Sequence, residues 1–256
     1  MSKLLEGKTA LILGIANKWS LAYAIAQAYS REGAKLVLTY LGEHQKESIE
    51  SLAAGLTVAS VLPCDVTKDE DLDKLASALA GLKRPLDAVV HSLAFANRED
   101  LSGAFLDTSR DGFLLAQNVS AYSLVAVARA VAPHMSGGGS IVTLTYLGSI
   151  RVIPHYNVMG VAKAALEASV RYLASDLGPR NIRVNAISAG PVKTASARAI
   201  KDFSGVLDTV AQRAPLRRNT DPAEVGDAAV FLASSLGRGV TGNVLFVDCG
   251  LQIMGL

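Results

Sequence analysis

Thr9-Ala-Leu-Ile-Leu13, then Gly14-Ile-Ala-Asn-Lys-Trp-Ser20, then Leu21-Ala-Tyr-Ala-Ile-Ala-Gln-Ala-Tyr-Ser-Arg31 place an aliphatic run, a turn and an Ala-rich helical stretch in direct succession. A strand that ends in a Gly turn and leads into a helix is the opening of a βα unit. The same alternation continues through the chain. Strands are expected at Thr9–Leu13, Leu36–Tyr40, Val58–Leu62, Ala88–His91, Ser140–Thr145, Ile182–Ile187 and Val244–Val247. Helices are expected at Ser20–Arg31, Glu43–Leu52, Asp69–Leu79, near Thr108–His134, Tyr156–Leu177 and Pro222–Leu232. Right-handed crossovers wind such units into one α/β domain of the Rossmann type, doubly wound, with a seven-stranded mainly parallel sheet and helices on both faces. The whole of 1–256 is read as one domain.

Composition agrees with that architecture and narrows the partners. Half of the 256 residues are hydrophobic, 19% are charged and only 5% are aromatic, so the core must be mainly aliphatic, as in a sheet covered on both faces. A net charge of +2, spread along the chain, gives no electrostatic case for nucleic acid or an anionic membrane. The start MSKLLEGKTALIL lacks a signal-peptide pattern, and no stretch approaches ~18–20 uninterrupted apolar residues. A soluble, unprocessed, cytoplasmic chain is expected. Cys64 and Cys249 stand far apart, and His44, His91, His134 and His155 lack ligand spacing, so neither a disulfide framework nor a metal site is expected.

In an open sheet of this kind ligands lie outside the carboxyl ends of the strands. Four such ends look suited to a dinucleotide. Gly14 lets backbone come close, and Ser20 with Leu21 opens a helix whose free amides and positive dipole end suit a phosphate. The pattern lacks GxGxxG and is weak alone, since an ordinary capped turn looks the same. Asp65, with Val66, follows the third strand where a carboxylate could accept from an adenine amino group; a helix-capping role is equally open. His91-Ser-Leu93-Ala ends the fourth strand with small residues. No Arg or Lys occupies 40–42 to clamp a 2′-phosphate, which favours NADH over NADPH, although His44 and Lys46 lie close.

The fifth and sixth strand ends carry a different set. Tyr146 follows the fifth strand, and Tyr156 and Lys163 stand seven residues apart, two turns along one helical face. A phenol and an ammonium there can address one ligand; the cation can stabilise a phenolate or hold ribose hydroxyls. Taken alone, a partly buried Tyr beside a surface Lys would look the same. After the sixth strand, Gly190-Pro191 turns the chain and exposes the backbone of Val192 to a carboxamide and the hydroxyl of Thr194 to a phosphate oxygen, or makes a plain structural turn. Residues 193–215 mix small, polar and charged side chains and read as a mobile substrate loop.

Together these residues resemble the divergent branch of the short-chain dehydrogenase/reductase family, the branch of the bacterial NADH-dependent enoyl-acyl-carrier-protein reductases. The resemblance runs through LILGIANKWSLAYAIA, LPCDVTKDE, HSLAFA, TYLGSIRVIPHYNVMGVAKAALEASVRYLA, IRVNAISAGPVKT, IKDF and TGNVLFVDCG. Its Gly-x5-Ser-x-Ala turn and Tyr-x9-Tyr-x6-Lys spacing replace the TGxxxGxG and Tyr-x3-Lys of ordinary members. The resemblance implies that Tyr156 hydrogen-bonds a thioester carbonyl, Lys163 anchors the nicotinamide ribose and Tyr146 is an auxiliary phenol. It also implies that Gly14, Ser20, Leu21, Asp65, Val66, Leu93 and Val192 to Thr194 bind the dinucleotide. Ala96 and the loop of Ala195 to Phe203, with Ala197, Ile200 and Phe203, are implied to touch the acyl chain. An acyl carrier protein as substrate carrier and a homotetramer are implied too. Cys249 stands where relatives carry Gly or Ser, and Tyr40-Leu41 matches no clear ribose-binding pair. The alternatives from the residues are a carbonyl reductase on 3-oxoacyl thioesters, disfavoured by Thr143 in place of a catalytic Ser, and a non-catalytic NAD-binding sensor.

Overall fold

A computed structural model describes residues 3–82, 84–193 and 203–255, without the side chains of residues 203 and 204. Seven strands, β1 (Thr9–Leu13), β2 (Lys35–Tyr40), β3 (Val58–Pro63), β4 (Ala88–His91), β5 (Gly139–Thr145), β6 (Ile182–Ala189) and β7 (Val244–Val247), pair in the order β3-β2-β1-β4-β5-β6-β7. Every pairing is parallel, in registers such as Ala10 beside Leu36 and Ala88. The order reverses between β1 and β4, so a crevice opens outside their carboxyl ends.

Strand periodicity divides the core. Ala10 and Ile12 of β1 with Leu36 and Leu38 of β2 face one side of the sheet, and Leu11, Leu13 and Val37 face the other. The first side is covered by α1 (Leu21–Arg31), α2 (Glu43–Ala53) and α9 (Pro222–Ala233), through Ile25, Ile49 and Val225. The second is covered by α3 (Asp69–Gly81), α6 (Ser123–Val131) and α7 (Asn157–Leu177), through Leu75, Val127 and Leu166. Asp221 starts α9 with a capping box to Glu224 and with Pro222 at the first helical position. Small residues let α1 and α9 cross closely: a Cβ on Gly226 would come within 3.0 Å of the Ala24 carbonyl and the Ala28 methyl.

Three elements differ from the expected outline. The stretch near Thr108–His134 is helical but interrupted: α5 (Arg110–Gln117) passes through a π turn at Asn118–Tyr122 into α6. Among the described residues it alone is long and apolar enough to cross a membrane, yet half of its apolar window is buried within this fold. A one-turn helix, α4 (Arg98–Leu101), interrupts the connection after β4, and α8 (Phe203–Arg213) occupies much of 193–215. Neither α4 nor α8 carries a long apolar period that would announce it.

Candidate active site

At the end of β1, Gly14 takes φ +97°, and a Cβ there would sit 2.0 Å from the Ser92 carbonyl oxygen. The backbone that approaches Gly14 is thus the end of β4, reinforced by the Ser92 amide donating to the Leu13 carbonyl. Ser20 is extended at the α1 N-cap and does not cap with its side chain; its hydroxyl donates to the Asn17 carbonyl at 2.7 Å. The amides of Leu21 and Ala22 find no acceptor among the described residues. They form the open donor pair that a helix start offers an anion.

Two strands away, the Asp65 carboxylate accepts from the Thr67 amide and hydroxyl at 3.0 and 2.7 Å and pairs with Lys68. Burial pushes its pKa up, and those bonds more than offset this, leaving the carboxyl below its usual range. Both roles expected for Asp65 therefore coexist: it organises its own turn, and it stands half-buried at the strand end. Val66 and Leu93 are half-buried against the core. At the end of β2 the Tyr40 hydroxyl donates to Glu43, and the Leu41 amide donates to Gln45. Glu43 is in turn paired with Lys46 at 3.7 Å, so a carboxylate and an ammonium both stand beside the end of β2.

The ends of β5 and β6 build a different environment. Tyr146 leaves β5 extended, and a 3-10 turn at Leu147–Ser149 carries the chain past Tyr156, the residue that begins α7. The two rings meet edge to face, with centroids 5.0 Å apart. Gly148 makes room for them, since a Cβ there would lie 2.4 Å from the Tyr156 ring. His155 and Asn157 flank Tyr156 at φ 62° and 36°, a left-handed pair around one aromatic side chain. Burial, followed by the neighbouring Tyr146, raises the Tyr156 pKa, and burial raises that of Tyr146. Of the two uses the sequence leaves to a cation near the phenol, stabilising a phenolate is disfavoured here, since burial holds both phenols in their protonated form.

Lys163, 5% exposed, is not a surface lysine. Its Nζ donates to the Leu144 carbonyl at 2.8 Å. Burial pulls its pKa down to about 8, with Glu167 acting in the opposite direction. Behind it, His91 bonds Thr143 through Nδ1 at 2.9 Å and Ser123 through Nε2 at 2.8 Å. The Ser123 hydroxyl also reaches the Val119 carbonyl and the Thr143 hydroxyl the His91 carbonyl; a neutral ring carries one N–H, so His91 donates to one of the two hydroxyls and accepts from the other. Burial and then the Lys163 charge drop the His91 pKa to about 3. His91, noted in the sequence only as ending β4 and lacking ligand spacing, is a neutral, fully buried link between β4, β5 and the start of α6.

After β6, the Gly190 amide joins Val247, and Val192 and Lys193 emerge beside α1. A 320 Å³ cavity lies there, lined by Lys18, Trp19, Val192, Lys193, Asn219 and Thr220 among others. Trp19 and Lys18 were not singled out from sequence, although the exposed indole, with Lys18 Nζ 4.8 Å from its centre, extends the wall of the Ser20 turn. Ala96 is half-buried on a loop whose Phe95 amide and carbonyl both bond the Ser120 hydroxyl. Thr194, Ala197 and Ile200, and the side chain of Phe203, lie outside the described residues. Gly14, Ser20, Leu21, Leu93 and Val192 thus occupy the ends of β1, β4 and β6, Asp65 and Val66 follow β3, and Tyr146, Tyr156 and Lys163 surround the end of β5.

Comparison with known proteins adds a common description. Residues 14–252 match the family described as enoyl-(acyl carrier protein) reductase. The enoyl-acyl-carrier-protein reductase (NADH) FabI of Bacillus cereus is 54% identical over 255 residues, 99% of this chain and 100% of that protein. Its namesake from Bacillus subtilis is 52% identical over 251 residues, covering 97% of each. A crystal structure of the Bacillus cereus enoyl-acyl carrier protein reductase with NADP+ and an indole naphthyridinone superposes with a TM-score of 0.97 at 55% identity, covering 99% of this chain and 100% of that one. The Anaplasma phagocytophilum enoyl-acyl-carrier-protein reductase in complex with NAD gives 0.95 at 48% identity, covering 100% and 96%.

Proposed function

This chain belongs to the enoyl-(acyl carrier protein) reductase family, and from that membership we propose that it reduces the trans-2 double bond of enoyl thioesters with NADH. The reaction belongs to the elongation cycle of type II fatty acid synthesis. The observation that carries the reading is the edge-to-face pair of Tyr146 and Tyr156, ring centroids 5.0 Å apart, at the carboxyl end of β5, where the buried Lys163 donates to the Leu144 carbonyl.

The residues fit a dinucleotide. Two unpaired amides at Leu21 and Ala22, the close turn at Gly14 and the cavity beside Val192 form a continuous edge outside β1, β4 and β6. Gly14, Ser20, Leu21, Asp65, Val66, Leu93, Val192 and Thr194 are the residues that would hold it. NADH is favoured by the names of the relatives and by the lack of an Arg or Lys at positions 40–42 to clamp a 2′-phosphate. When bound, NADH supplies the hydride that enters at the β-carbon of the enoyl thioester.

Charge then builds on the thioester oxygen as an enolate, and Tyr156, a neutral donor in a buried setting, stabilises it. Lys163 anchors the nicotinamide ribose, and Tyr146 fixes the Tyr156 ring from its edge. The resemblance would put Ala96, together with Ala197, Ile200 and Phe203 of the segment before and at the start of α8, at the acyl chain; of these the side chain of Ala96 is described, and it is half-buried. The carrier is an acyl carrier protein. We also place the enzyme in the cytoplasm as a homotetramer, a reading supported by the apolar side chains of Phe105, Leu106, Phe113 and Leu114 that the single chain leaves exposed.

Crotonyl and acetoacetyl thioesters offered side by side, each with NADH and NADPH, test this reading. Consumption of NADH with the crotonyl substrate alone is expected; oxidation of NADH only by the acetoacetyl substrate would replace it with a carbonyl reductase.

A further inference from the structure

Lys163 and Glu167 stand one turn apart on the face of α7 turned to the sheet, and both are buried, at 5% and 7% exposure. Their polar ends meet the end of β5 at consecutive residues. Lys163 Nζ donates to the Leu144 carbonyl at 2.8 Å, and the Thr145 hydroxyl donates to Glu167 Oε1 at 2.6 Å. A carboxylate this deeply buried is costly unless it serves a neighbouring charge.

The elements packed around Lys163 leave that task to Glu167. His91 at the end of β4 is held neutral, and Tyr146 and Tyr156 remain protonated phenols. The buried polar side chains of β6 and of the π turn with α6, namely Asn185, Ser188, Ser120 and Ser123, carry no charge. Asp100 of α4 is taken up by Ser109 and Asn97.

Resting on the NADH reading above, we propose that Glu167, seated by the Thr145 hydroxyl, is a positioning residue that keeps the Lys163 ammonium charged and directed along the end of β5. Burial draws Lys163 toward neutrality near pH 8, and Glu167 opposes it. Without the carboxylate the ammonium discharges at lower pH, and the cofactor ribose loses its charge-assisted donor sooner.

The test is the pH dependence of NADH affinity, read by fluorescence titration of the full chain from neutral to alkaline pH, with thermal midpoints as the folding control. Glu167→Gln preserves shape and the Thr145 bond while removing the charge. It is expected to move the alkaline loss of affinity down by about one pH unit, and Glu167→Asp to return it most of the way. If Glu167→Gln does not fold, Thr145→Val, which removes the seat and keeps the carboxylate, carries the test with a smaller shift in the same direction. A Gln variant whose affinity follows the parent at every pH, or falls evenly at all of them, overturns the proposal; so does an Asp variant that behaves like Gln. A parent that binds NADH yet reduces no enoyl thioester overturns the reductase reading instead, and the binding titration still decides the role of Glu167.

Discussion

The two halves of the crevice are built by different means. At the cofactor end, side chains satisfy one another within a few residues: Ser20 with Asn17, Tyr40 with Glu43, and Asp65 with Thr67 and Lys68. At the chemical end the partners are far apart in sequence: His91 bonds Thr143 and Ser123 across 52 and 32 residues, and Thr145 meets Glu167 across 22. The first half presents backbone and small turns, and each piece forms from its own segment. The second half exists only when β4, β5, the π turn and α7 have assembled, and it gathers three buried ionisable groups, His91, Tyr156 and Lys163, whose pKa values depart far from their ordinary ones. On the proposed function, binding is shared among many modest contacts and chemistry is concentrated in a few desolvated groups.

If that division holds, the largest single effect on turnover belongs to the chemical half. Tyr156→Phe removes the donor to the developing enolate, worth ~2.7–4 kcal/mol of barrier, or about 10²–10³ in rate. Steady-state turnover should fall by that factor while NADH affinity measured by fluorescence stays near the parent value. A variant that loses affinity and turnover together would erase the distinction between the halves.

Gly14→Ala attacks a long-range contact of the cofactor half, that of Gly14 with the end of β4. A methyl against the Ser92 carbonyl and a left-handed φ of +97° should cost about 1–3 kcal/mol of stability. Urea midpoints and NADH titrations should both decline, with affinity dropping about tenfold. A smaller effect follows from Lys163 in the unaltered protein. Its ammonium is intact below a pKa of about 8 and discharges above it, so NADH affinity should be level toward neutral pH and fall as pH rises through about 8. A flat profile through that range would remove Lys163 from ribose binding. The smallest effect is expected at Asp65→Asn, where the Thr67 bonds survive in weakened form; NADH affinity should shift by less than about 1.4 kcal/mol, a factor of ten.

The same division explains what could be read from the residues. All seven strands were legible because a sheet covered on both faces needs unbroken aliphatic runs, and those runs stand between turns. Tyr156 and Lys163 were legible through helical spacing, and Gly14 through its place after a strand. The π turn at Asn118–Tyr122 was not, because its extra residue leaves no change of composition. Helix α8 was hidden by the mixed side chains of Phe203–Arg213, which offer only a short apolar stripe. Glu167 was within reach, since it follows Lys163 by one turn, but nothing in the order of residues reveals that Thr145 waits opposite it. The neutral His91 was out of reach for the same reason, as both of its partners arrive by tertiary assembly.

The most direct test is a crystal structure of the chain with NADH and an unreactive enoyl thioester analogue. The account predicts the Tyr156 hydroxyl at about 2.7–3.1 Å from the thioester oxygen, with Lys163 on the nicotinamide ribose. A thioester oxygen held by another group, with the Tyr156 ring turned away from the nicotinamide, would contradict it.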